Sequence, residues 1–216
     1  MSYDLVKQFQ EECADRIAAY ASDELWKSLS RDWLVRAFEQ KFMYNFSWFG
    51  RPIIQLPNDM VAMQEIIWKV KPDLIIETGI AHGGSLIMSA SLLAMVDYCD
   101  ALERGVVLDP KRSKRKVLGI DIDIREHNRR AIEEHPLSEH IAMFEGSSTD
   151  PCMVERVRAF SEDYETVLVC LDSNHTHEHV KLELEAYADL TSVDSYCLVF
   201  DTIVEDLPAD IFPDRP

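Results

Sequence analysis

From Asp73 onward the chain alternates short apolar runs with longer helical stretches, and that alternation leaves few folds open. The runs are Leu74 to Thr78, Val117 to Ile122, Ile141 to Glu145, Thr166 to Leu171 and Tyr196 to Phe200. Each is rich in Val, Ile, Leu or aromatic residues and has the length of a strand buried on both faces. Stretches with helical spacing separate them: Ser85 to Tyr98, Arg125 to Glu134, Pro151 to Phe160 and Glu178 to Leu190. Strands joined through helices can pair only by crossover. The pattern therefore predicts an α/β fold, a doubly wound and mainly parallel Rossmann-like sheet with helices on both faces.

The front of the chain reads differently. Residues 1 to about 45 are rich in charged, Ala and aromatic residues at helical spacing, as at Leu25, Leu29, Trp33 and Phe38, which predicts a helical extension. Phe42 to Pro57 is apolar yet punctuated by Gly50, Pro52 and Pro57, the signature of a loop or short extended segment that must pack on something. Phe42 to Phe49 is its candidate subunit contact or acceptor lid, and a homo-oligomer is expected. A further helix is expected from Asn58, with Asn58 or Asp59 as its cap, closing at Pro72. The division that follows is an extension over 1–57 and a ligand-binding domain over 58–216. With 216 residues, 47% of them hydrophobic, one core is expected.

Charge narrows the partners. A net charge of −17 argues against close contact with nucleic acid or an anionic membrane. The start is polar, and no apolar run reaches the roughly 18 residues of a membrane span. Five cysteines without close pairs suggest reduced thiols and hence a cytoplasmic protein. The basic run KRSKRK, residues 111–116, reads as a solvated loop tip or an anion-binding patch.

The chemistry is expected at the carboxyl ends of the strands, where open parallel sheets bind ligands. The first βα turn reads ETGIAHGGS, residues 77–85. Gly79 and Gly83 allow tight backbone geometry, His82 lies between them, and Ser85 is placed to cap the next helix. No Gly-Lys-Ser/Thr follows, so this is not a phosphate-cradling P-loop, and Glu77 before the first Gly suits a cationic ligand group. The second strand ends in GIDID, where Asp121 and Asp123 are placed either for a ribose diol or for helix capping. The third ends in EGSSTD, whose Ser148 and Asp150 could flank an aromatic base, while Thr149 or Asp150 could cap the helix opened by Pro151.

The fourth strand leaves Asp172 at its end, followed by Ser173, Asn174, His175, His177 and His179. These histidines form no H-E-x-x-H pair, which disfavours a zinc hydrolase. The fifth leaves Asp201 and Thr202. Aspartates from two adjacent strand ends can hold one hard divalent ion such as Mg²⁺, which keeps positions open for a substrate's oxygens; the alternative is two separately solvated carboxylates.

Taken together, IETGIAHGGSLI, GIDIDIR, GSSTD, LDSNHTHEHV and LVFDT followed by PADIFPDRP resemble the cephalosporin hydroxylase family. That family is grouped with the Rossmann-fold S-adenosylmethionine methyltransferases and includes sugar O-methyltransferases. The resemblance implies a methyltransferase sheet, S-adenosylmethionine as cofactor, Mg²⁺ or another divalent ion, and a hydroxyl of a sugar or natural-product intermediate as acceptor. It also implies that Glu77 and Gly79 line the methionine part, that Asp121 holds the ribose, that Ser148 and Asp150 lie near the adenine, and that Asp172 and Asp201 are metal carboxylates. His175 is the candidate general base. Relatives often carry Glu-Asp where this chain has Phe200-Asp201, so one usual ligand is missing, and Thr202, Glu205 or Asp206 are the nearby replacements. Two other readings remain: a cofactor-binding accessory subunit and a hydroxylase-associated component.

Overall fold

The computed structural model describes residues 4–208 and residue 211. They form two compact units, one of residues 4–42 with 208 and 211 and the other of residues 43–207. In the first, α1 (Leu5–Tyr20) and α2 (Glu24–Glu39) are the expected helical extension, each opened by an aspartate: Asp4 accepts from Lys7 N–H and Asp23 from Trp26 N–H.

The second unit opens with an antiparallel hairpin, β1 (Phe46–Trp48) and β2 (Arg51–Ile53), where the sequence reading allowed a loop or short extended segment. Gly50 at φ +86° makes the turn. Next comes α3 (Pro57–Val70), then β3 (Leu74–Thr78), α4 (Gly84–Arg104), β4 (Lys116–Asp121), α5 (Glu126–Glu133), β5 (Ile141–Glu145), α6 (Pro151–Ser161), β6 (Val167–Leu171), α7 (His177–Tyr187) and β7 (Cys197–Val199). Two caps differ from expectation. Pro57 is already helical and Leu56 precedes it, so neither Asn58 nor Asp59 caps α3. The cap position of α4 is Gly83, which leaves Ser85 inside the helix.

The sheet order is β5-β4-β3-β6-β7, parallel throughout. Strand order reverses between β3 and β6, and this opens a crevice at their carboxyl ends. All five residues of β3 and of β6 are buried, which explains their unbroken apolar sequences. On one face Ile75, Val117, Leu168 and Cys170 pack with Met63 and Ile67 of α3 and with Leu86, Leu93 and Val96 of α4. On the other Ile76, Leu118 and Val169 pack with Val157 of α6 and Tyr187 of α7. α4 is long and apolar enough to span a membrane by length and composition, yet its apolar face serves the sheet.

Lys111, Arg112 and Lys114 of the basic run are exposed, as the solvated-tip reading had it, but Arg115 is not. Arg115 reaches Asp97 at 2.9 Å and Asp100 at 2.8 Å and donates to the carbonyls of Lys71 and Pro72. It therefore pins the start of β4 to the segments that flank it. Most of PADIFPDRP lies outside the described residues.

Candidate functional site

Three strand ends meet at the crevice. Gly79 N–H donates to Ile120 O at 2.8 Å, and Asp172 N–H donates to Thr78 O at 3.0 Å. The turn after β3 thus lies between the ends of β4 and β6. Gly79 is required twice over: its φ is +89°, and a Cβ there would stand 2.1 Å from the carbonyl oxygen of Asp172. At Gly83 a Cβ would meet Ile132 at 2.4 Å, and at Gly84 the backbone of Pro52 at 2.2 Å.

The hairpin braces this turn. Arg51 donates to His82 O and to Asn128 Oδ1, and Asn128 donates in turn to Ala81 O. Trp48 Nε1 donates to Ser91 Oγ at 2.9 Å, which anchors β1 to α4. Sequence reasoning missed Arg51 and Asn128. The only signal for Arg51 was a charged residue inside an apolar segment that had to pack on something.

Asp121 acts on the same turn. Its Oδ2 accepts from Ile80 N–H at 2.8 Å and Ala81 N–H at 3.1 Å, and its Oδ1 accepts from Asp123 N–H. Before any ligand arrives, this carboxylate already shapes the loop. Asp121→Ala is expected to destabilise the fold by roughly 1 to 3 kcal/mol through loss of its three backbone N–H bonds, and to weaken a ligand seated on the turn. Urea denaturation alongside ligand titration checks this. Unchanged values in both would refute the role.

Glu77 is buried, and among the described residues only Ser85 Oγ donates to its carboxyl. Burial pushes its pKa up to about 7, and the Ser85 hydrogen bond offsets this in part. The folded chain therefore holds this proton more tightly than the unfolded chain. Its contribution is present below the unfolded pKa near 4.5 and is lost as pH rises through about 7, a change of about 3 kcal/mol. We expect Glu77→Gln to flatten that part of the stability profile, measured by denaturation between pH 4.5 and 8.

Asp172, His175 and Asp201 come together at the ends of β6 and β7, their ligand atoms all within 4.8 Å of one another. His175 Nε2 lies 3.6 Å from Asp201 Oδ2. Burial and the charges of Asp201, Glu77 and Asp59 hold the Asp172 carboxyl well above the usual range, opposed by a hydrogen bond from Gln55. Asp59 is raised as well, by burial and then by Asp201. Among the described residues, no Lys or Arg forms an ion pair with Asp59, Glu77 or Asp172. The charges of Asp201, Glu77 and Asp59 raise Asp172, and Asp201 raises Asp59; with Asp59, Glu77 and Asp172 free of Lys or Arg ion pairs among the described residues, this donor set fits a divalent ion and a cationic ligand.

The other predicted residues are less central. His82 contributes its carbonyl, held by Arg51. Asp150 caps α6 through Cys152 and Met153 N–H, as the capping reading had it, and Asp123 is exposed. Thr202 is exposed in a short 3-10 turn after Asp201, and the side chains of Glu205 and Asp206 lie outside the described residues. Ser148 is buried; its Oγ is 3.3 Å from His179 Nε2, which also lies 3.3 Å from the buried Glu183. His175 and His179 do not share a helical face, because α7 begins only at His177. They serve separate clusters.

A family model described as Rhamnosyl O-methyltransferase/CmcI matches residues 40–216. The chain is 28% identical over 153 residues to a rhamnosyl O-methyltransferase of Mycobacterium tuberculosis (strain ATCC 25618 / H37Rv), covering 70% of this chain and 54% of that protein. It is 25% identical over 163 residues to one from Mycobacterium leprae (strain TN), covering 74% and 62%. The chain thus spans about half the length of the curated relatives it matches. A solved structure described as "cmcI-D160 Mg-SAM" superposes with a TM-score of 0.52 at 19% identity, covering 74% of this chain and 59% of that one. One described as "CmcI-N160 apo-structure" gives 0.51 at 19%, covering 79% and 67%. At that identity the likeness shows the fold.

Proposed function

The chain belongs to the Rhamnosyl O-methyltransferase/CmcI family, and from that premise we propose that it is an S-adenosylmethionine-dependent O-methyltransferase acting on a hydroxyl of a sugar or natural-product intermediate. The observation that carries this reading is the crevice between β3 and β6, where a Gly turn open to close backbone approach faces the carboxyl groups of Asp59, Glu77 and Asp172, none of which forms an ion pair with Lys or Arg among the described residues. A sulfonium donor is cationic, and an anionic phosphate ligand would be repelled there. The names of the curated relatives support the sugar class of acceptor.

In this reading Glu77 and Gly79 line the methionine end of the donor. Asp121 is the ribose residue, with Asp123 beside it, and it also fixes the turn through Ile80 and Ala81 N–H. His82, Gly83 and Ser85 continue the lining, and Ser148 with Asp150 borders the adenine side. Asp172 and Asp201, with Thr202 alongside, hold the divalent ion, which when bound lowers the pKa of an acceptor hydroxyl and orients it. His175, within reach of both carboxylates, takes up the acceptor's proton. The rest is positioning, because an in-line displacement needs the acceptor oxygen aligned with the methyl carbon more than it needs covalent help.

The test is transfer of labelled methyl from S-adenosylmethionine to rhamnosides and related hydroxyl compounds, with and without chelator. Label incorporation that chelator abolishes is the expected result. Label incorporation in excess chelator would remove the metal from the mechanism.

A further inference from the structure

Phe200 directly precedes Asp201 after β7. Phe200 packs against the apolar cluster on the α3 and α4 side of the sheet, so the strand end supplies no oxygen from that residue. Gln55 lies two residues before α3, on the segment that links the hairpin to that helix. It is only 8% exposed, its Nε2 lies 3.5 Å from Asp172 Oδ2, and its Oε1 is buried with no hydrogen-bond partner. A buried amide oxygen without a partner is costly unless something in the site uses it. The two ends of an amide exchange by a half-turn about the last side-chain bond. With no cation present, the nitrogen end suits a carboxylate; with one present, the oxygen end suits the cation.

We infer that Gln55 supplies a neutral oxygen ligand to the divalent ion, beside Asp172 and Asp201. This deepens the metal-assisted reading above and rests on it. The charge balance follows. Asp172, Asp201 and Gln55 bring two negative charges to a dication where three carboxylates would bring three. Asp59, on the first turn of α3, adds a negative field from the same segment without being needed as a ligand. Part of the ion site thus lies on the hairpin–α3 connection, which ties ion binding to the element that also braces the Gly turn.

The experiment is isothermal titration of the whole chain with MgCl₂, and separately with S-adenosylmethionine in chelator, for the native chain and two variants. Gln55→Met keeps the volume and removes the oxygen. Gln55→Glu keeps the oxygen and adds a charge. We expect Gln55→Met to weaken Mg²⁺ about tenfold and Gln55→Glu to tighten it about tenfold, with donor affinity in chelator within twofold of native in both, each change equivalent to about 1.4 kcal/mol. Thermal melts establish that both variants are folded. Mg²⁺ affinity unchanged in both would overturn the Gln55 assignment alone and leave the ion with Asp172 and Asp201. No Mg²⁺ binding to the native chain, with donor binding intact, would overturn the metal reading and the assignment together.

Discussion

Asp172→Ala is expected to lower methyl transfer by about 10³-fold or more, roughly 4 kcal/mol in the barrier, while donor affinity measured in chelator changes little. Asp172 stands where the strand order reverses, and its carboxylate is the one that Gln55, Asp201 and His175 all approach. Losing it removes an ion ligand and one side of the acceptor's seat at once. The isosteric variant Asp172→Asn carries an opposite expectation for stability. Because burial and neighbouring carboxylates push the Asp172 carboxyl well up, ionising it at neutral pH destabilises the ion-free fold. Asp172→Asn, which keeps the shape, is therefore expected to melt higher than the native chain in chelator, by an amount on the order of 1 kcal/mol. Steady-state kinetics and melting curves check the two halves separately. A variant that stays active, or one that melts lower, would place the carboxylate outside the ion site.

Gly79→Ala is expected to be the most damaging single methyl group that can be added. The residue sits at φ +89°, and the new Cβ would stand 2.1 Å from Asp172 O and 2.8 Å from Asp172 C. Both neighbours are backbone at the end of β6, so no side chain can swing away. Backbone strain and overpacking together come to about 2 to 5 kcal/mol. Any relief must part β3 from β6 at the crevice, so donor binding is expected to fall with stability. Gly105→Ala is the control, since it also has positive φ, at 65°, but has nothing within 4 Å of the added carbon. Urea midpoints for the two variants separate simple backbone strain from the close approach.

Most of the architecture was legible because it rests on periodicity. The apolar runs at Leu74 and Thr166 had to be strands, since strands buried on both faces leave that pattern, and β3 and β6 proved to be the central pair. The glycine turn, the strand-end aspartates and the resemblance to the cephalosporin hydroxylase family were legible for the same local reason: each lies within a few residues of a strand end. Three things were not. The hairpin was hidden because a three-residue strand is too short to show alternation. Arg115 looked like a loop charge because its partners, Asp97 and Asp100, lie on the preceding helix. Gln55 could not be found at all, because only the fold brings it to Asp172, 117 residues further along the chain. The capping of α3 and α4 was misjudged for a smaller reason: Pro57 and Gly84 already satisfy the helical geometry, so the polar residues after them were free for other work.

In the proposed function the crevice is the seat of a cationic methyl donor. The most direct measurement is isothermal titration of the whole chain with S-adenosylmethionine at pH 6 and pH 8, repeated on Glu77→Gln. One donor per chain is expected to bind, more tightly at pH 8 because the Glu77 carboxyl, pushed up to about 7 by burial, is ionised there, and Glu77→Gln is expected to lose that pH dependence. The contradicting result is the absence of any donor binding to a folded native chain at either pH.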